Sequence, residues 1–143
     1  MSLFVCSLNS GSNGNCYYIG NNREAVLIDA GISCREAEKR MKILGLSINK
    51  VKAVFISHEH TDHTKGAPAL AQRFSIPIYI TKNTLKSCPL IIPASTIPLF
   101  SCKPVTIGDL SITAIPKQHD AEDPQNFTVS CNKVTVGVFT DMG

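Results

Sequence analysis

The strongest constraint on this chain is an apolar run, Val51 to Ile56, that passes without a break into Ser57-His58-Glu59-His60-Thr61-Asp62-His63. A short continuous apolar run of this kind reads as a buried strand. Three of the chain's 4 histidines follow it within a few positions. In an extended chain, side chains two apart face the same way, so His58 and His60 can point together at one metal ion. Asp62 and His63 come after the chain starts to turn toward a helix expected at Ala67, and can face elsewhere, toward a second ion. Neutral imidazole and carboxylate suit zinc, with manganese or iron as alternatives. The segment is not the His-Glu-x-x-His pattern of metalloproteases, because position 62 is aspartate. Read as a solvated loop, it would crowd three imidazoles and a carboxylate at the end of a core strand without purpose. Ligands in α/β folds gather at the carboxyl ends of strands, which favours the metal reading.

The rest of the chain supplies the frame. Leu3–Leu8 reads as a strand, and Asn9–Asn15 is made of turn formers, so it is a loop. That loop either offers backbone N–H groups to a phosphate or is a plain tight turn. Cys16–Ile19 and Ala25–Asp29 read as strands joined by the hairpin signal Gly20-Asn21-Asn22. Ser33 with Glu36 forms a capping box for a helix that carries Ala37, Met41 and Leu44 and ends at Gly45. Ala67–Phe74 is a second helix with Pro68 in its first turn, and Ile76–Ile80 is a strand. Lys82–Pro98 suggests a short helix and a Pro-rich connection. Val105–Ile107, Leu110–Pro116, Phe127–Cys131 and Val134–Thr140 are strands, with turns at Gly108-Asp109 and Asn132-Lys133. The order predicts an α/β fold with a mixed sheet and flanking helices.

Composition sets outer limits. With 143 residues, 43% hydrophobic and 17% charged, the chain fits one globular domain. The formal charge of +3 permits an acidic partner without arguing for one. No apolar run is long enough to span a membrane, and the start lacks the pattern of a signal peptide. Six scattered cysteines without a C-x-x-C pair read as small buried hydrophobes in a cytoplasmic protein. The chain stops three residues after a core strand, which points to a fragment or to a product shorter than its relatives.

His-x-His-x-Asp-His after an apolar strand resembles the signature of the metallo-β-lactamase superfamily. Asp29 in Leu27-Ile28-Asp29-Ala30-Gly31, His119 in His119-Asp120-Ala121 and Asp141 in Thr140-Asp141-Met142-Gly143 agree with it. Together with the opening Ser10-Gly11-Ser12-Asn13-Gly14-Asn15-Cys16, these motifs resemble the YycJ/WalJ-like branch of that superfamily. The resemblance implies an αββα sandwich, with residues 1–143 holding its N-terminal half and the start of the second. The C-terminal part, with the last histidine ligand, would be absent.

The resemblance also implies the site. His58, His60 and His119 would bind a first divalent ion, Asp62 and His63 a second, and Asp141 would bridge them. Asp29 would support the histidine segment from behind, although on the residues alone it could equally cap the helix near Ser33. His119 read alone is an exposed loop histidine. Glu59 should face away from the metals by strand alternation. Lys65, Lys82, Lys86, Lys103 and Lys117 read mainly as solubilising charge.

The activity implied is hydrolysis by a hydroxide activated between two metals, Zn2+ with Mn2+ or Fe2+ as alternatives, with Asp62 also holding the nucleophile. The branch points to a phosphodiesterase or nuclease, a 5′ exonuclease in DNA processing acting on single-stranded DNA. Two alternatives stand beside it: a hydrolase of small thioesters or lactams, and a metal-binding fragment without activity.

Overall fold

The computed structural model describes residues 2–117 and 121–139. Two sheets stack face to face, and helices cover the outer side of the first. The first sheet has six strands in sequential order: β1 (Phe4–Asn9), β2 (Cys16–Gly20), β3 (Ala25–Ile28), β4 (Val51–Phe55), β5 (Ile78–Ile80) and β6 (Thr96–Pro98). β1, β2 and β3 pair antiparallel through tight connections. From β3 to β6 the pairing is parallel, and each step returns through a helical crossover. Crossovers of one hand between sequential strands put their helices on one face. Here α1 (Cys34–Ile43) and α3 (Ala67–Phe74) share that face, burying Ala37, Met41, Ala67 and Leu70 against Leu27, Val54 and Ile78.

The second sheet is antiparallel, in the order β10-β9-β8-β7: β7 (Val105–Ile107), β8 (Leu110–Pro116), β9 (Gln125–Cys131) and β10 (Val134–Val138). Its inward residues Leu110, Ile112, Ala114, Phe127 and Val129 meet Val26, Ile28, Ala53 and Phe55 of the first sheet. Strand alternation divides β3 between the two cores: Ala25 and Leu27 face the helices, Val26 and Ile28 the second sheet. A register shift opposite Lys52 lets Val51 face the helices while Ala53 faces the other core. Phe55 stacks on Tyr79 at 4.7 Å and meets Phe127 edge-on at 5.8 Å, which ties the layers beneath the histidine segment.

Ser33 caps α1 by accepting from Glu36 N at 3.1 Å, but the Glu36 carboxylate turns to Arg40, so only half of the expected capping box forms. The uncertain stretch resolves into α4 (Lys82–Lys86), a 3-10 turn at Pro93–Ser95, and β6. β5 starts at Ile78, two residues later than expected, because Pro77 has no N–H to give a neighbouring strand. β9 starts two residues earlier, at Gln125. All six cysteines are free thiols, and Cys16, Cys34, Cys88 and Cys131 are buried as expected. Cys102 departs from that reading: it is exposed, at a φ of 65°. Among the described residues, no helix is long and apolar enough to cross a membrane.

Candidate metal centre

β3 and β4 run parallel, so both deliver their next residues to the same edge of the sheet. After β3 comes Asp29, fully buried and at a φ of 64°. Aspartate tolerates this left-handed conformation better than most residues, and such backbone often marks a site under functional constraint. Asp29 N donates to Phe55 O at 2.7 Å, which locks the two strand ends together. After β4 comes Ser57, whose backbone N donates to Asp29 Oδ1 at 2.7 Å and whose hydroxyl donates to Asp29 Oδ2 at 2.7 Å.

The histidines build on that pair. His58 Nδ1 lies 2.9 Å from Ser57 Oγ, and His63 Nδ1 lies 2.5 Å from Asp29 Oδ2. The Ser57 hydroxyl proton is committed to Asp29, so its oxygen accepts from His58 Nδ1–H. The carboxylate likewise accepts from His63 Nδ1–H. These bonds assign the tautomer with a basic Nε2 on both rings, as metal-ligating histidines require. His58 and His63 are fully buried, with ring centroids 3.9 Å apart, and His60 stands edge-on to His58 at 4.6 Å.

His60 begins a single helical turn, α2 (Thr61–Thr64), that carries Asp62 and His63. The sequence shows only a polar segment here, because one turn is too short for a periodic signal. Asp62 Oδ2 lies 3.7 Å from His63 Nε2, and the Asp62 side chain keeps 31% exposure. The turn is held from behind: Ala30 N donates to His63 O at 2.9 Å, and Gly66 N to Ala30 O at 2.7 Å. Gly31 packs so closely that a Cβ there would land on the Asp62 carbonyl.

The Asn9–Asn15 loop proves to be a brace. Gly14 N bonds Gly11 O, Gly11 N bonds Asn15 Oδ1, and Asn15 N donates to Asp62 O at 2.7 Å. Those three N–H groups are spent inside the protein, which favours the tight turn. Asn15 Nδ2 also lies 3.3 Å from His63 Nε2. Ser57 and Asn15 thus belong to the cluster although the sequence reading did not select them. A hydroxyl between a strand and the first histidine was the available signal for Ser57. Asn15 had none beyond its place in the loop.

Asp29 does not cap α1, since Ser33 does. Glu59 turns to the neighbouring loop, where its carboxylate accepts from Glu122 N at 3.1 Å. Gln125 N donates to Ser57 O at 2.9 Å, and Lys117 N to Pro124 O at 3.1 Å. His119 and Asp141 lie outside the described residues. Among the described residues alone, no three His, Cys, Asp or Glu side chains form a group that could hold an ion. The donor set nevertheless fits a divalent metal: imidazoles of fixed tautomer beside a partly exposed carboxylate.

The family model of the metallo-beta-lactamase superfamily matches residues 10–97. The chain belongs to that superfamily. It is 33% identical over 147 aligned residues to the exodeoxyribonuclease YycJ of Bacillus anthracis, a match covering 100% of this chain and 56% of the relative. It is 28% identical over 142 to the exodeoxyribonuclease WalJ of Streptococcus pneumoniae, covering 95% and 53%. Among solved structures, the metallo-beta-lactamase fold protein YhfI of Bacillus subtilis superposes with a TM-score of 0.76 at 19% identity, over 96% of this chain and 62% of that one. The chain spans about half the length of the curated relatives it matches. Its stacked sheets and helical layer are those of the metallo-β-lactamase fold, as the sequence predicts.

Proposed function

We propose that this chain carries the metal-binding half of a metal-dependent phosphodiesterase that acts on nucleic acid, in the manner of a 5′ exonuclease. The observation that carries the reading is the Asp29–Ser57 pair, which fixes the tautomers of two buried histidines beside Asp62. The names of the two exodeoxyribonuclease relatives support the substrate class. In this reading His58 and His60 would hold one divalent ion together with His119. Asp62 and His63 would hold a second, and Asp141 would serve both. Zinc fits these donors, as do manganese and iron. When bound, such ions supply Lewis-acid stabilisation of phosphoryl charge and acidify water.

The protein's own part is positional. Asp29 accepts a hydrogen bond from His63 Nδ1–H and, through Ser57, orients His58, so both rings present Nε2 as base. Asp62, with its carboxylate partly in solvent, accepts a hydrogen bond from the attacking water and aligns it. The free thiols suit a cytoplasmic setting.

The test is metal content together with cleavage of single-stranded DNA across a salt series. The wild type should retain metal through desalting and cleave the oligonucleotide, with binding that weakens steeply as salt rises. His58→Ala should lower turnover by roughly a thousand-fold or more, the scale of losing a group that acts in a catalytic unit. Turnover of small thioesters, indifferent to salt and without DNA cleavage, would replace the nuclease reading. Full activity in His58→Ala would remove the site assignment altogether.

A further inference from the structure

The parallel strands β3 to β6 all end on one edge of the first sheet. The ends of β3 and β4 carry Asp29 and the histidine segment. The ends of β5 and β6 enclose a separate cleft of about 540 Å³, lined by Lys82, Asn83, Leu85, Phe100, Ser101 and Asp123 among others. Neighbouring strands lie about 4.8 Å apart, so this cleft starts within one or two strand widths of the histidines. A wall continues between them: Asp123 lines the cleft, and the next residue back, Glu122, donates its N–H to Glu59, which sits between His58 and His60.

The lining has an uneven chemistry. Phe100 is 61% exposed, an unusual state for a large aromatic, and Lys103 Nζ stands 5.6 Å from its ring centroid. Lys82 is exposed at the rim. Asp123, the one acidic residue of the lining among the described residues, accepts from Gln125 Nε2 at 3.1 Å. Of the lysines that read as scattered surface charge, Lys82 therefore lines the same cleft as Phe100, and Lys103 lies over one face of that ring. A ring for stacking next to cations for a backbone is the pattern used to hold single-stranded nucleic acid. The volume falls in the range of small-ligand sites and suits one nucleoside.

We infer that this cleft is a substrate subsite that seats one base of single-stranded nucleic acid against Phe100, with Lys82 and Lys103 on the adjoining phosphates. The inference rests on the nuclease reading and adds where the strand lies: it leaves the histidine cluster over the Glu59–Glu122 contact and enters the cleft after β5 and β6.

The experiment compares the metal-loaded wild type with Phe100→Ala, Phe100→Tyr and Lys82→Gln on a single-stranded oligodeoxynucleotide and on bis(p-nitrophenyl) phosphate, which has no base to stack. Phe100→Ala should raise the KM for the oligonucleotide roughly ten-fold, the scale of one lost base stack, with kcat little changed. Phe100→Tyr should restore it. Lys82→Gln should flatten the salt dependence by about one phosphate contact. Turnover of the small diester should be unaffected in all three. An unchanged oligonucleotide KM in Phe100→Ala, in a protein whose wild type cleaves DNA, overturns the subsite and leaves the nuclease reading standing. Equal losses on both substrates also overturn it, because Phe100 would then be acting on the fold. A wild type that hydrolyses the small diester but no nucleic acid overturns both.

Discussion

Two stretches of the same sheet edge are built in opposite ways. After β3 and β4, segments distant in sequence are stitched together by backbone hydrogen bonds: Ala30 to His63, Gly66 to Ala30, Gly31 to Asn15, and Asn15 to Asp62. After β5 the backbone bonds are mainly local, within α4 and the turn that follows it, such as Leu85 to Thr81 and Cys88 to Leu85, and the chain is tied back to the sheets only after β6, by Leu99 to Ile80 and Cys102 to Ala114. There Leu90, Ile92 and Phe100 stand largely in solvent. The contrast teaches a division of labour. Metal ligands need fixed geometry, which long-range bonds to a rigid scaffold supply. A wall that meets a flexible strand needs exposed contact surface, and local bonds suffice to shape it.

The contrast breaks most visibly at Gly31. Its close approach to the Asp62 carbonyl leaves no room for a methyl group, so Gly31→Ala forces the stitched segments apart. The expected cost is about 3 kcal/mol, as for other overpacked sites. Leu90→Ala, at 80% exposure in the loosely built stretch, should stay within about 0.5 kcal/mol of the wild type. Urea unfolding midpoints of the two variants measure the difference directly. Equal midpoints would mean that the two stretches are held alike.

A smaller change sharpens the comparison by sparing the backbone. Asn in place of Asp29 keeps the shape and tolerates the positive φ, but it removes the charged acceptor shared by His63 and Ser57. Metal affinity should fall about ten- to a hundred-fold, the usual scale for a partner behind the ligands. Competition against a chelator reads this, with circular dichroism to confirm the fold. Unchanged affinity in Asp29→Asn would reduce the network to a structural tie.

The same division explains what the sequence could disclose. β4, α3 and the turns of the second sheet were legible because apolar periodicity and turn residues act locally. The histidine segment was legible because its spacing encodes chemistry. α2 was not, because one turn leaves no repeating pattern. Ser57 and Asn15 were missed for a different reason: their partners lie 28 residues away at Asp29 and 47 away at Asp62. No local rule reports such a bond. Lys82, Phe100 and Lys103 looked unremarkable for the same cause, since only the parallel order of β5 and β6 brings their neighbourhoods together. Strand alternation leads one to expect Glu59 to face away from the metals, but its hold on the Glu122 backbone belongs to tertiary structure alone.

The finest test of the contrast lies at Cys88, where the two stretches meet. Cys88 is buried beside Glu59, and burial first, then the Glu59 charge, pushes its thiol up to about 11 from an ordinary 9.0. The folded protein therefore keeps this proton across a pH range in which the unfolded chain releases it. The unfolded state binds fewer protons there, so the Cys88 contribution to stability is intact below pH 9 and declines as pH rises from 9 toward 11. At pH 8, iodoacetamide should label exposed Cys102 and spare Cys88, and Cys88 should become reactive only as the pH approaches 11. Glu59→Gln removes the smaller of the two causes and leaves burial in place, so it should move the onset of labelling down only part of the way. Rapid labelling of Cys88 at pH 8 would show that the wall beside Glu59 opens to solvent, and that the looseness after β5 reaches as far as the histidine segment.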